Sequence, residues 1–323
     1  MESVFPNIYR IHVPLPDTVL KPLNAYLVVG DERNLLIDTG LNHPVCYNTL
    51  LRALEQAALP LEKTDVFITH AHVDHCGLAT RLKRDSNTVY CSATDGMLMR
   101  TINLNGHIRD IEAMSIRFGI PKEMWLDASN HISFQYAPGS HVDFSPLSEG
   151  DTLRVGSYNL RVVSLFGHTP GHLGLFEPEH GFLFCGDHIL QEISPNIVAW
   201  EGVADSIQSF LVHLDQVKRL GATVLFPGHG SEIRTPEKRI DELIAHHAAR
   251  LAEARAAVLD GKQTVYEITQ TITWDFMQGM FQEFPPGQVW FASGETFAHL
   301  EHLRMKKEIA RKYEAGMYYY VPV

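Results

Sequence analysis

Short apolar runs separated by polar turns set the rhythm of the first 230 residues. Tyr26-Leu27-Val28-Val29 and Leu35-Leu36-Ile37 flank Gly30-Asp31-Glu32-Arg33-Asn34, which predicts a hairpin ending in Asp38-Thr39-Gly40. Residues 44–58 carry Val45, Leu50, Leu51 and Leu54 at helical spacing, and Val66-Phe67-Ile68 then reads as a buried strand running into His70. Leu160 to Val163, Leu173 to Phe176, Phe182 to Cys185 and Val224 to Phe226 repeat the pattern, a short strand and then a turn carrying His or Asp. Strands separated by helices, with polar side chains at the strand ends, predict an α/β fold of sheets covered by helices. Chemistry then sits on loops above a rigid scaffold.

The rhythm breaks over residues 95–145, where Met97, Leu98, Met99, Ile108, Ile111, Met114, Ile116, Phe118 and Trp125 predict a helical insertion. Two readings stand open for it, a lid or pocket wall and a helical pair covering the core. Beyond residue 233 the pattern turns helical. Residues 236–260 place Ile240, Leu243, Ile244 and Leu251 on one face. A helix from Val265 to Phe276, a Pro-Pro-Gly loop, a helix from about Ser293 and a strand from Met317 to Val321 follow. The expected division is a main domain over 1–233 and a C-terminal region over 234–323.

Composition narrows the function classes. A formal charge of −11 lacks the Lys and Arg excess that neutralising phosphates requires, so a general nucleic-acid binder is not expected. No apolar run approaches the roughly 20 residues that cross a bilayer, and Met1-Glu2-Ser3-Val4-Phe5-Pro6 lacks a signal-peptide profile. The expectation is a cytoplasmic protein acting on a small molecule. Cys46, Cys76, Cys91 and Cys185 show no CxxC spacing and read as small buried hydrophobes.

The chemistry concentrates in Thr69-His70-Ala71-His72-Val73-Asp74-His75-Cys76-Gly77. Alternation along an extended chain points His70 and His72 the same way, toward one metal. A turn then carries Asp74 and His75 toward a second position. Burying so many polar groups without a ligand would leave costly unsatisfied atoms. Gly167-His168-Thr169-Pro170-Gly171-His172, Gly186-Asp187-His188 and Pro227-Gly228-His229-Gly230 each follow an apolar strand. Glycine beside each His or Asp lets the backbone turn sharply so the side chain can reach inward. Five histidines and two carboxylates without a thiolate suit Zn²⁺ first, with Fe²⁺ and Mn²⁺ as alternatives.

Together these motifs resemble the metallo-β-lactamase-fold hydrolase superfamily over about residues 20–230. The resemblance implies a four-layer αββα sandwich with a dinuclear metal site. By position, His70, His72 and His168 would hold the first ion, Asp74, His75 and His229 the second, and Asp187 would bridge them. Asp38 matches an aspartate that supports the metal loop from behind. Two ions about 3.5–4 Å apart activate a bridging hydroxide, with Asp74 passing a proton to the leaving group.

A bridging aspartate at 187 sets the chain apart from true β-lactamases of this fold, and His72 stands where flavodiiron oxygen reductases carry Glu. The stretch from Asp187 to His229 is too short for the domain inserted in the nucleases. What remains resembles glyoxalase II, lactonases and related hydrolases of a carboxylic ester, a thioester such as an acyl-CoA, or a lactone. A phosphodiesterase or single-strand ribonuclease and an iron-dependent sulfur dioxygenase are the alternatives.

The last 60 residues look like the small winged-helix-like appendage of one hydrolase branch. From Thr264 onward they hold five Lys/Arg and seven Asp/Glu, which favours closing the active site or forming a homodimer face over binding nucleic acid. Single residues carry narrower expectations. Cys76 packs beneath the loop. His172 and His188 are support donors or substrate contacts. His107, His131 and His141 sit on solvent-exposed loops, and His299 and His302 are solvated. Met97, Met99, Met114, Phe118 and Trp125 pack in the core or line an apolar pocket.

Overall fold

The computed structural model describes residues 1–16, 18, 21–101, 105–127, 131–139, 141–274 and 281–323, without the side chains of 105–109 and 282. Seven strands, β1 (Glu2–Phe5), β2 (Ile8–Val13), β3 (Leu23–Val28), β4 (Asn34–Ile37), β5 (Thr64–Phe67), β6 (Val89–Ser92) and β7 (Ser145–Leu147), lie side by side in chain order. The first four pair antiparallel, including the hairpin expected around residues 30–34, and β4 through β7 pair parallel. A second sheet has the order β12-β11-β10-β9-β8, built from β8 (Thr152–Val155), β9 (Tyr158–Ser164), β10 (Leu173–Glu177), β11 (Phe182–Gly186) and β12 (Val224–Pro227).

The period of two along a strand assigns side chains to layers. From β3, Tyr26 and Val28 join Ile8, Leu35, Ile37 and Phe67 against Leu160, Val162, Leu175, Phe182, Phe184 and Phe226 of the second sheet. Their alternates Leu23, Ala25 and Leu27 face the other way, with Leu36, Val66 and Ile68. Cys46, Leu50 and Leu54 of α1 (Pro44–Gln56) cover that outer face, as do Cys76 of α2 (Val73–Cys76) and Leu82 of α3 (Ala79–Leu82). Burying each large apolar side chain stabilises the sandwich by about 1.5–3 kcal/mol. Three short helices follow, α4 (Ala93–Thr101), α5 (Asn105–Phe118) and α6 (Ile132–Gln135), so the segment read as a helical insertion contains helices. His213 of α7 (Ser206–Leu220) sets its ring 5.0 Å from that of Phe166, which follows β9 of the second sheet. The result is an α/β sandwich of two mixed sheets between helices.

The described chain falls into two compact units, residues 1–103, 132–195 and 213–240 in one, and 104–131, 196–212 and 241–323 in the other. In the second, Phe118 and Ile120 share a core with Val258, Val265, Ile268, Val289, Phe297, Leu300 and Tyr320. These come from α8 (Pro236–Leu259), α9 (Val265–Thr269), α10 (Pro286–Met305) and the hairpin β13 (Ile309–Glu314) and β14 (Met317–Pro322). This small hairpin with its helices is the C-terminal appendage.

Several boundaries differ from the sequence expectation. α9 stops at Thr269 rather than running to Phe276, and residues 275 and 276 lie outside the described set. The Pro-Pro-Gly stretch is not a loop. Pro285 caps α10 and Pro286 occupies its first turn, where proline's fixed φ suits a helix and its missing N–H costs nothing.

Candidate metal centre

At the end of β4 the chain turns through Asp38, whose φ of 59° is a conformation a short polar side chain tolerates. The turn aims its carboxylate across the sheet at the end of β5. Oδ1 accepts the Thr69 N–H at 2.8 Å, and Oδ2 accepts the Thr69 hydroxyl and His75 Nδ1, each at 2.8 Å. Thr69 Oγ1 also meets His70 Nδ1 at 3.0 Å. With Nδ1 committed in both rings, each imidazole presents Nε2 forward. Asp38 is thus the support that the resemblance implied.

His72 occupies the N-cap of α2, and this single turn carries Asp74 and His75 around to a second position. His70 Nε2 and His72 Nδ1 approach to 3.1 Å. From the second sheet, the β9–β10 turn supplies His168, the end of β11 Asp187, and the end of β12 His229. His229 Nδ1 faces the carbonyls of Lys21 and Pro22 at 3.2 and 3.3 Å, again leaving Nε2 forward. All seven residues converge. His70, His72 and His168 form one set of donor atoms, Asp74, His75 and His229 another, and His70, His75 and Asp187 a third across the two. Asp187 Oδ2 stands 3.4 Å from His75 Nε2, 3.7 Å from His229 Nε2 and 4.0 Å from His168 Nε2, and Asp74 Oδ2 stands 3.2 Å from His229 Nε2.

The electrostatics follow from crowding. Burial holds His70 well below the ordinary histidine value, helped by the neighbouring rings, and brings His72 to about 3. Burial also pulls His75 and His229 down, but Asp187, Asp38 and Asp74 outweigh it at His75, and Asp187 and Asp74 do so at His229, so both end up raised. Burial pushes Asp74 and Asp187 up. The facing histidines overcome it, leaving Asp74 at about 2 and Asp187 lower still. Two buried carboxylates need positive charge beside them, which protonated His75 and His229 or bound cations can supply. His75 Nε2 and Asp187 Oδ1 are buried with no hydrogen-bond partner. A donor set of imidazoles and carboxylates with such orphaned atoms fits divalent metal.

The surroundings are close-packed. A Cβ on Gly228 would fall 2.4 Å from Asp187 Oδ1 and 2.6 Å from His75 Cε1. His172 stacks on His70 at 4.8 Å, and its Nε2 accepts the Asp187 N–H at 3.2 Å, so it supports the centre from behind. His188 lies 6.2 Å from His172 and 6.4 Å from His213, ring to ring. Cys76 donates its thiol to the Ala71 carbonyl at 3.2 Å, and burial raises it well above the usual thiol value, which makes it packing.

The peripheral histidines diverge. His141 is exposed, the His107 side chain lies outside the described residues, and His131 sets its ring 5.7 Å from Phe291 in the second unit. Contrary to expectation, His299 and His302 are buried, because α10 is enclosed on most sides. His299 Nδ1 pairs with the Glu295 carbonyl at 2.8 Å and Nε2 with His247 at 3.1 Å, while His302 Nδ1 meets Asp205 at 2.9 Å.

Asp95 escaped the sequence reading. It is fully buried at the start of α4, accepts from Ala71 N (2.9 Å), Thr169 Oγ1 (2.5 Å) and Gly171 N (2.8 Å), and burial lifts it to about 6 against those donors. Nothing local announces it, since an Asp in a helix's first turn usually reads as a solvated dipole partner.

A family profile described as the Metallo-beta-lactamase superfamily matches residues 20–229, the span that holds all seven converging residues. The Bacillus subtilis (strain 168) protein named Probable metallo-hydrolase YqjP is 23% identical over 322 residues, 97% of each chain. Hydroxyacylglutathione hydrolase GloC of Haemophilus influenzae is 28% identical over 171 residues, 52% of this chain and 67% of that one. A solved structure of a metallo-beta-lactamase family protein from Thermus thermophilus superposes with a TM-score of 0.85 at 28% identity, covering 99% of this chain and 100% of the other. With its whole site inside the matched span and its fold shared end to end with that structure, the chain belongs to the metallo-beta-lactamase superfamily.

Proposed function

We propose that this protein is a dinuclear metal-dependent hydrolase of an acyl thioester or a related carboxylic ester or lactone. One observation carries the reading: two three-donor sets lie either side of Asp187, which stands against histidines of both. His70, His72 and His168 would hold one ion, Asp74, His75 and His229 the other, with Asp187 between. When bound, two divalent ions polarise the acyl oxygen and lower the pKa of water toward ~7. Zinc is the first candidate for a site of imidazoles and carboxylates.

The chain's own groups do the rest. Asp38, through Thr69 and directly, fixes the tautomers of His70 and His75. Asp74 would take the proton released by the attacking water and pass it to the departing thiolate or alkoxide. A protein nucleophile is not needed. The four cysteines are buried, and burial raises their thiols, Cys46 to about 11. The thioester preference draws support from the relative named Hydroxyacylglutathione hydrolase GloC, a hydroxyacylglutathione being a thioester.

Elemental analysis of the purified protein comes first, then turnover of hydroxyacylglutathiones, acyl-CoAs, lactones and bis-aryl phosphates before and after chelation. Thioester turnover lost on chelation and restored by metal is expected. Turnover that survives complete metal removal would sink the mechanism, and phosphodiester cleavage without acyl transfer would overturn the bond assignment.

A further inference from the structure

We propose that Asp95 is a positioning residue that locks the two loops carrying His70, His72 and His168 into one ligand geometry. The inference rests on the metal reading above and goes beyond its ligands. The two loops have no covalent reason to keep register. His70 and His72 follow β5 of the seven-stranded sheet, whereas His168 sits in the β9–β10 turn of the five-stranded sheet. Asp95 comes from a third place, the first turn of α4 after β6, and reaches both.

Its Oδ2 accepts the N–H of Ala71, the residue between His70 and His72, at 2.9 Å. The same oxygen takes the hydroxyl of Thr169, next to His168, at 2.5 Å, and Oδ1 takes the N–H of Gly171 at 2.8 Å. The backbone of Asp95 is held as well, its N–H donating to Ser92 Oγ at 3.0 Å. Contact is tight enough that a Cβ on Gly171 would fall 2.2 Å from Ser92 Oγ and 2.6 Å from Asp95 Oδ1. Only glycine lets the loop come this close.

An apolar side chain would fill this buried space without the cost of desolvating a carboxyl. What the carboxylate adds is direction, because three donors from two loops must point at one acceptor. Asp38 plays the corresponding part for His70 and His75. The Asp95 carboxylate bonds Ala71, Thr169 and Gly171, which adjoin or flank the His70, His72 and His168 set, and among the described residues it makes no bond to the loops bearing Asp187 and His229, so its effect should fall on one ion of the two.

Asp95→Asn tests this. The amide nitrogen replaces one acceptor oxygen and faces a backbone donor, while the shape of the side chain is kept. Zinc is titrated into metal-free protein against a chromophoric chelator, with circular dichroism confirming the fold of each variant. The expected result is two zinc equivalents in the wild type, with about 10–100-fold weaker binding of one and unchanged binding of the other in Asp95→Asn, the range seen when outer partners of metal ligands are lost. Wild-type affinity at both equivalents, or an equal loss at both, in a folded Asp95→Asn would overturn the proposal alone. A wild type that binds no metal would sink the metal reading and this inference with it. If Asp95→Asn does not fold, Thr169→Val, which removes only the hydroxyl donor, decides. Selective weakening of one equivalent supports the inference, with recovery in Thr169→Ser, and wild-type binding in Thr169→Val ends it.

Discussion

Gly228 sets the tolerance of the centre at the scale of single atoms. Its missing side chain leaves the space where Asp187 Oδ1 and His75 Cε1 stand, 2.4 and 2.6 Å from any Cβ placed there. Both neighbours are pinned, Asp187 through its N–H to His172 and His75 through Nδ1 to Asp38, so neither can step aside at low cost. Gly228→Ala should keep the fold but lose about 10–100-fold in metal affinity, as when ligand geometry is disturbed from the second layer. Metal content after dialysis against a weak chelator checks it, and full retention would show that the loop yields.

Glu295 is the second unit's buried acid. Burial lifts it from 4.5 to about 7, against the pull of Arg250 and the Asn196 amide that donates to Oε2 at 2.9 Å. A carboxyl whose folded pKa is raised contributes stability that is whole below the unfolded value and disappears as pH rises through the folded one. For a carboxyl moved from 4.5 to about 7 that amounts to on the order of 3 kcal/mol, lost as pH rises from 4.5 to about 7. Glu295→Gln keeps the oxygen that Asn196 needs and removes the titration. Its melting temperature relative to wild type should therefore rise from pH 5 to pH 8, and a constant difference would refute the assignment.

At the scale of elements, what lies close in sequence was legible and what needs a distant partner was not. β3, β4, α1 and β11 followed from period, because each buries a face that its own residues define. The single turn α2 was foreseen in effect, since Asp74 and His75 had to leave the line of His70 and His72. α7 went unread although Ile207, Phe210, Leu214 and Val217 recur at helical spacing and are all buried. The fusion of residues 104–131 with the C-terminal helices into one core pairs segments more than a hundred residues apart, which no local period records. The same limit hid Asp95 and put His299 and His302 in solvent. α9 is held by a local device. Thr264 Oγ1 accepts from Glu267 N at 3.2 Å while Glu267 Oε2 accepts from Thr264 N at 3.0 Å. Thr264→Ala should cost about 1 kcal/mol, the usual loss at an N-cap, read as a lower urea midpoint at unchanged slope.

For the molecule as a whole, the position of the candidate ligands ties chemistry to stability. His70, His72, Asp74 and His75 hang from the seven-stranded sheet, and His168, Asp187 and His229 from the five-stranded one. An ion held by both groups is a cross-link between the sheets, added to the apolar contacts of Tyr26, Phe67, Phe184 and Phe226 and to hydrogen bonds such as Leu173 N–H to the Thr69 carbonyl at 2.9 Å. In the unfolded chain these ligands are scattered from residue 70 to residue 229, so metal binds the native state by preference and stabilises it by mass action. At a free ion concentration of 100 times Kd, each site adds about 2.7 kcal/mol. Chelation should therefore lower the melting temperature by several degrees, and stepwise return of zinc should restore it in proportion to occupancy. His75 and His229, raised above the ordinary value, must give up their protons to an incoming ion. The stabilisation by metal should consequently weaken as pH falls and vanish at acid pH. A melting temperature indifferent to chelator at neutral pH would mean that the seven residues do not hold an ion between the sheets.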